Sequence, residues 1–372
     1  MSRPNTSIFI SAGDPSGDIA GSLLLKQLQQ KRNDLEFFGL GGPRMKMLGQ
    51  EQPVDGKKLA VLGFWEVARR FFFFRKLMSR VVDSIERKRP KVIILIDYPG
   101  FNLRLAQKIK RLGIPIIYYI SPQIWAWNPG RISKLKKLVD YMLLILPFES
   151  KIYDEAGMRN CFVGHYLFDD IESQYIRSSY DTESNLICLM PGSRPQEVHR
   201  MLPAMIKTAE NLAKSRNWKF VIAGAGGDID YFSYIKSCIA PIDIIFGRTR
   251  ELIAESRLVI TSSGTATLEA GIIGRPMVVI YKTGWLTYQI ARRLVKLDNI
   301  ALINIVGNRK IVPELIQNDA SPENIVTAAN KFLNDKQFAL NTISELNRTA
   351  DILGGAGTSE RAADIIRGFI DC

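Results

Sequence analysis

Between Leu258 and Tyr281 the chain reads LVITSSGTATLEAGIIGRPMVVIY, and the residues in its middle are suited to holding a diphosphate. A β-branched apolar run stops at Ser262-Ser263-Gly264, and Thr265 opens a helical pattern. Small residues feeding a helix start leave backbone N–H groups free at the positive end of the helix dipole, a setting that favours phosphate. Glu269 follows just over one turn later, where a carboxylate can accept hydrogen bonds from ribose hydroxyls. Ser263, Gly264, Thr265 and Glu269 thus read as one side of a nucleotide-diphosphate site. An ordinary βαβ unit with a capped helix is the competing reading.

Three further loops carry candidate chemistry. Gly192-Ser193-Arg194 follows the apolar run 186–190, and a guanidinium there offers paired, planar donors to a phosphate. Asp97 ends the strongly apolar run KVIILID, whose surroundings favour a raised pKa and hence a general base; a cap on the helix near Asn102 is the alternative. Ser11-Ala-Gly-Asp-Pro-Ser-Gly-Asp18 has the composition of a phosphate loop, but Asp14 and Asp18 would repel a phosphate. A sugar-hydroxyl or positioning role suits it, or a helix start capped by Ser16 or Asp18. His165 and His199 have neither a nucleophile partner nor metal-ligand spacing; His165 is expected at the hinge, lining the cleft, and His199 on a helix surface.

The elements that must position these loops alternate. Apolar runs at 7–12, 91–97, 115–120, 141–146, 186–190, 219–223, 258–261 and 277–281 read as strands, with amphipathic helical patterns between them. Such alternation gives parallel sheets covered on both faces, with ligands outside the carboxyl ends of the strands. At 372 residues two domains are expected. The polar segment 166–185 reads as a linker between a first Rossmann-like half, 1–165, and a second, 186–345, with the helical tail 346–372 returning to the first half.

The net charge of +13 lies wholly in the first half. Residues 1–165 hold 27 Lys and Arg against 14 Asp and Glu, whereas 166–372 hold 23 of each. A basic half implies an anionic partner: phosphorylated substrate, acidic lipid or nucleic acid. Cys161, Cys188, Cys238 and Cys372 are scattered without a CxxC pair, which argues against zinc and disulfides and for a reducing compartment. Neither a signal-peptide pattern nor an apolar run of spanning length is present, so the expectation is a cytosolic chain. Within 57–89 a helical wheel puts Val67, Phe74, Leu77, Met78, Val81 and Ile85 on one arc. Phe72 falls opposite among Arg69, Lys76 and Arg80, with Phe73 on the flank. That outer face reads as an interfacial membrane contact, and a buried aromatic cluster is the alternative.

These segments, in order along nearly the whole chain, resemble the lipid-A-disaccharide synthases. The resemblance is carried by Ala12-Gly-Asp-Pro-Ser-Gly-Asp18, Gly42-Pro-Arg-Met45, the Asp97 loop, Ser121-Pro-Gln-Ile-Trp-Ala-Trp127, Leu146-Pro-Phe-Glu149, Val163-Gly-His165, Pro191-Gly-Ser-Arg194, Ser263-Gly-Thr-Ala266 with Glu269, and Gly357-Thr-Ser-Glu-Arg-Ala362. It implies an α/β glycosyltransferase-B architecture, two Rossmann-like parallel-sheet domains facing a cleft. It also implies transfer from UDP-2,3-diacylglucosamine to the 6-hydroxyl of 2,3-diacylglucosamine 1-phosphate, forming a β(1→6) bond with inversion and releasing UDP. No cofactor or metal is implied, in keeping with a sequence that holds no ligand cluster.

On this resemblance Asp97 is the base. Gly192, Ser193, Arg194, Ser263, Gly264, Thr265, Glu269 and Asn304 hold the donor, and Ser16, Asp18, Gln123, Trp125 and His165 line the acceptor side. The implied location is the inner face of the cytoplasmic membrane, with an anionic membrane surface as partner. Departures from the family's usual pattern are Asp14 for Glu, Asn128 for Arg, and Tyr166 and Ile303 for Pro. Two rivals stay open. One is another glycosyltransferase-B enzyme using UDP-N-acetylglucosamine, or a 2-epimerase. The other is a basic nucleic-acid module, for which no motif is present.

Overall fold

In the computed structural model residues 6–53, 71–127, 130–226, 229–284, 288–289 and 298–371 are described. Their apolar runs pair as two parallel sheets. The first joins β1 (Thr6–Ala12), β2 (Leu35–Leu40), β3 (Val92–Ile96), β4 (Ile116–Tyr119), β5 (Tyr141–Leu144) and β6 (Asn160–Phe162) in the order β2-β1-β3-β4-β5-β6. The second joins β7 (Leu186–Met190), β8 (Lys219–Gly224), β9 (Ile242–Phe246), β10 (Leu258–Ser262), β11 (Met277–Tyr281) and β12 (Glu314–Ile316) in the order β12-β11-β10-β7-β8-β9. Helices cover both faces, and the central strand β3, Val-Ile-Ile-Leu-Ile, is accordingly apolar at every position and buried throughout. Each sheet reverses its strand order once, at β1/β3 and at β7/β10, and loops beyond such a reversal open a crevice for ligands.

The chain divides into two compact units, Met1–Asp170 with Gly354–Cys372, and Ile171–Leu353. The division falls inside 166–185, and that segment is not a free tether. Leu167, Phe168 and Ile171 are buried in it. Its later part is gripped by Arg275, whose fully buried guanidinium donates to the backbone oxygens of Ser178 (3.0 Å) and Ser179 (2.6 Å), the Ser178 hydroxyl (2.9 Å) and the Ala254 oxygen (3.0 Å). The return to the first unit begins at Gly354 rather than 346, because the helix Lys336–Ile352 packs within the second unit. Asp169 receives the returning chain: its carboxylate accepts from the Gly357 and Ser359 N–H groups at 2.6 Å each and caps the helix Thr358–Asp371.

Candidate active site

At the β1/β3 reversal the register sets Ala12 beside Ile96, so Gly13 and Asp97 leave the sheet side by side. The approach is close: a Cβ on Gly13 would lie 2.2 Å from the Tyr98 ring, which explains a glycine there. Asp97 and Tyr98 both adopt left-handed backbone, with φ of 42° and 49°. For residues with a Cβ this conformation is costly and needs support from outside the turn. Asn102 supplies it. Fully buried, it donates from Nδ2 to the Asp97 oxygen (2.8 Å) and the Ile96 oxygen (3.1 Å), and its Oδ1 accepts from the Ser11 hydroxyl (2.7 Å). The Tyr118 hydroxyl donates to the same Asp97 oxygen at 2.6 Å.

The Asp97 side chain caps nothing: the helix Pro99–Ile109 starts from Tyr98 without a side-chain cap. Burial, and then the charge of Asp14, push its carboxyl up to about 7. That value suits a group that takes a proton near neutral pH. Asn102 escaped the sequence reading, where it figured only as a helix start. Its signal was an amide five residues after Asp97 at an apolar helix position.

The other residues of this unit separate into those near Asp97 and those with structural duties. Asp14, not Ser16 or Asp18, caps the helix Pro15–Lys31, accepting from the Gly17 N–H at 2.7 Å and the Ser16 hydroxyl at 3.1 Å. Asp18, expected on the acceptor side, is buried and accepts from the N–H groups of Gly42 (2.8 Å), Arg44 (3.0 Å) and Met45 (3.1 Å). Those bonds hold the start of the short helix Pro43–Met47, a structural duty. His165, expected to line a cleft, is 2% exposed; burial pushes its ring down to about 3, and its Nδ1 accepts from the Leu167 N–H at 3.3 Å. It is neutral and enclosed, stacked on Tyr166, which is itself buried.

Gln123 is exposed on the loop after β4, the neighbour of β3, and Trp125 is half-buried in the short helix Ile124–Trp127 that follows. Trp125 donates from Nε1 to Glu149 at 3.1 Å. Glu149 is buried and its carboxyl is pushed up to about 8, chiefly by burial and slightly by the Asp97 charge.

The helix Phe71–Lys88 buries Leu77, Met78, Val81 and Ile85 and exposes Lys76 and Arg80, as its periodicity requires. Phe73 departs from expectation: it is half-buried against the core, edge-on to Phe74. Val67, Arg69 and Asn128, and the side chain of Phe72, lie outside the described residues.

In the second unit the register sets Met190 beside Thr261, so Gly192–Arg194 and Ser263–Thr265 emerge from neighbouring strand ends at the β7/β10 reversal. Gly264, at φ 144°, turns the chain into the helix Thr265–Ile273, which starts without a side-chain cap. Arg194 stands at the start of the helix Pro195–Ala213, its side chain 74% exposed and 3.2 Å from Glu197. The N–H groups of Ser193 and Arg194 point to the same Glu197, at 3.1 and 3.3 Å. Glu269 accepts from Arg250 at 2.9 Å, a partner the sequence reading did not contain. Arg250 comes from the helix Thr249–Glu255 and reaches Glu172 at 3.5 Å as well.

Asn304 is not a ligand contact here. It is fully buried, and its amide is saturated: Nδ2 donates to the Val312 oxygen (2.9 Å) and Glu314 (2.7 Å), and Oδ1 accepts from the N–H groups of Ile311 (2.8 Å) and Val312 (3.0 Å). It acts one step back. Glu314 also accepts from the Ile300 and Ala301 N–H groups at 2.8 and 3.0 Å, and the Ile300 oxygen accepts from the Ser263 hydroxyl at 2.9 Å. Ile303 is buried in the same region, its Cδ1 atom filling the space where a Gly271 side chain would begin.

Two Rossmann-like units, each with its polar loops at a strand-order reversal, define the glycosyltransferase-B architecture. The fold matches that of a UDP-GlcNAc 2-epimerase from Neisseria meningitidis bound to UDP-GlcNAc, with a TM-score of 0.66 at 12% identity over 98% of this chain and 99% of that one. It also matches the calicheamicin glycosyltransferase CalG4, with a TM-score of 0.63 at 14% identity over 99% of both chains. The lipid-A-disaccharide synthetase family model matches residues 8–363. The lipid-A-disaccharide synthase of Trichlorobacter lovleyi is 39% identical over 380 residues, 100% of this chain and 99% of its own. The chain belongs to the lipid-A-disaccharide synthetase family, and its activity is the glycosyl transfer that forms the lipid A disaccharide.

Proposed function

We propose that the chain transfers the 2,3-diacylglucosaminyl group of UDP-2,3-diacylglucosamine to the 6-hydroxyl of 2,3-diacylglucosamine 1-phosphate. The acceptor oxygen attacks C1 of the donor sugar, the bond from C1 to the diphosphate oxygen breaks, and inversion gives a β(1→6) link. Asp97 takes the proton that the hydroxyl loses. The carrying observation is this carboxyl, lifted to about 7 on a left-handed turn that Asn102 holds. The UDP that departs carries the negative charge, which the N-terminus of the helix Thr265–Ile273 and Arg194 offset as fixed donors, without a resident metal or organic cofactor. Glu269, oriented by Arg250, serves the ribose hydroxyls.

A membrane-surface location follows from the substrates and from the basic excess of residues 1–165. The exposed Lys76 and Arg80 support it, and among the described residues no helix is long and apolar enough to cross a membrane.

The deciding assay supplies acylated UDP-glucosamine with its 1-phosphate and reads the products by mass spectrometry. A β(1→6) disaccharide 1-phosphate and equimolar UDP are expected. UDP release that is indifferent to the acylated acceptor would instead favour a soluble-sugar transferase or epimerase.

The donor site has its own test. Arg194→Ala and Glu269→Ala should each weaken UDP binding in calorimetry. Loss of one charge-assisted phosphate contact corresponds to about a tenfold to hundredfold rise in Kd for the first. Unchanged affinity in both variants would move the donor site off the β7/β10 reversal.

A further inference from the structure

Beside Asp97, the helices Phe71–Lys88 and Pro99–Ile109 part to leave a groove of about 820 Å³, the size of a site for a small organic molecule. Its two walls differ in chemistry. Phe74, Met78 and Val82 recur every four residues along one helix, so one stripe of that helix is apolar. Arg104 and Lys108, four apart on the other helix, and Arg111, in the turn Lys110–Leu112 that follows it, make the facing wall cationic. Tyr98 and Phe101, stacked with centroids 5.9 Å apart, line the end of the groove next to the Asp97 turn.

The cations have little to satisfy them. Arg111 is held by Glu86, but Arg75, Arg104 and Lys108 are exposed and, among the described residues, carry no ion pair. Asp83 also lines the groove, so positive side chains outnumber negative ones along it. An apolar wall opposite a cationic one suits a molecule with a hydrocarbon chain and an anionic group. A soluble sugar phosphate would leave the apolar wall wet, and a neutral lipid would leave the cations unmatched.

The geometry points to this groove as the site for an acyl chain of the acceptor, with Arg75 and Arg104 meeting its phosphate. The assignment rests on the reading of Asp97 as base for an acylated sugar 1-phosphate, and adds to it a length filter on the acyl chain. A chain laid along Phe74, Met78 and Val82 would leave its sugar at the Tyr98 end, beside the base. Each methylene buried there strengthens binding, so affinity should climb with chain length until the groove is full.

Ser79 lines the groove and is exposed, so Ser79→Trp fills the space at little cost to folding. The purified full chain would be assayed in detergent with long-chain and short-chain diacylglucosamine 1-phosphates at saturating donor. The wild type should prefer the long chain by tenfold or more in kcat/KM. Ser79→Trp should remove that preference, lowering kcat/KM about tenfold on the long acceptor and less than twofold on the short one. Arg104→Gln should raise KM at least fivefold for acceptors bearing the 1-phosphate, and not for the analogue with a free 1-hydroxyl.

A Ser79→Trp enzyme that keeps its long-chain preference overturns the assignment while leaving acyl-sugar transfer standing. An equal loss on both acceptors overturns it as well, since the groove would then serve no chain. Unchanged acceptor kinetics with weaker binding to vesicles of anionic phospholipid would transfer the groove to membrane lipid. If the wild type fails to use acylated acceptors of either length, the proposed reaction falls, independently of the variants.

Discussion

Asp97→Asn should lower turnover by about 100-fold or more, the scale of losing a positioned general base, while UDP affinity stays as in the wild type. The substitution keeps the shape of the side chain and leaves the Asn102 clamp on the backbone intact. The wild-type pH profile should show its cause. With the carboxyl at about 7, kcat/KM should rise with pH through neutrality as Asp97 loses its proton, and that limb should vanish in the Asn variant.

Stability should move the other way. Because the folded-state value lies above the ordinary 3.8, the fold favours the neutral acid. Its contribution is complete below about pH 4 and is lost as pH rises through about 7. Asn is neutral throughout, so the variant should melt no lower than the wild type at pH 8. A variant with near-normal turnover would move the base elsewhere, with Asp14 the next carboxyl to replace.

Arg275→Met should cost roughly 3–5 kcal/mol, the largest stability loss expected from one substitution in the second unit. Methionine fills much of the volume but leaves the backbone oxygens of Ser178, Ser179 and Ala254 without these donors, at about 1–3 kcal/mol for each that water does not reach. For a unit of this size the melting temperature should drop by about 10 °C, at roughly 2–4 °C per kcal/mol. Residues 171–185 should then become the first site of limited proteolysis. A loss below about 1 kcal/mol would mean that water replaces the guanidinium and that the segment is held by its apolar contacts instead.

How much of this was legible in the sequence follows from where each strand sits. The eight expected strands are the interior ones, where burial on both faces favours apolar runs such as Val92–Ile96 and Leu186–Met190. β2, β6, β9 and β12 were missed, and all four are sheet edges. β9, Ile-Asp-Ile-Ile-Phe, and β6, Asn-Cys-Phe, have no fully buried position, so nothing in their composition demands a strand.

The site divides in a similar way. Loops that leave interior strands announced themselves through Gly192, Gly264 and Asp97. The roles of side chains within them depend on partners distant in sequence. Asp18 spends its oxygens on a helix start 24 residues on, at Gly42, and Asn304 spends its amide on 311–314. Glu269 takes its orientation from Arg250. A carboxylate that binds substrate and one that caps a helix have the same sequence signature until those partners are known.

The capping of Thr358–Asp371 by Asp169 bears on the order in which the chain can mature during synthesis. The first unit closes through contacts between residues 188 and 190 positions apart, whose later members are made last. Nascent residues 6–170 can form their sheet while the ribosome is still translating the second unit, but with the Asp169 carboxylate uncapped and the Phe369 ring absent from its edge contact with Tyr141. The second unit, drawn from the contiguous stretch Ile171–Leu353, has no such wait. The later-made half can therefore reach its final state first, the reverse of the N-to-C sequence usual for chains with two domains.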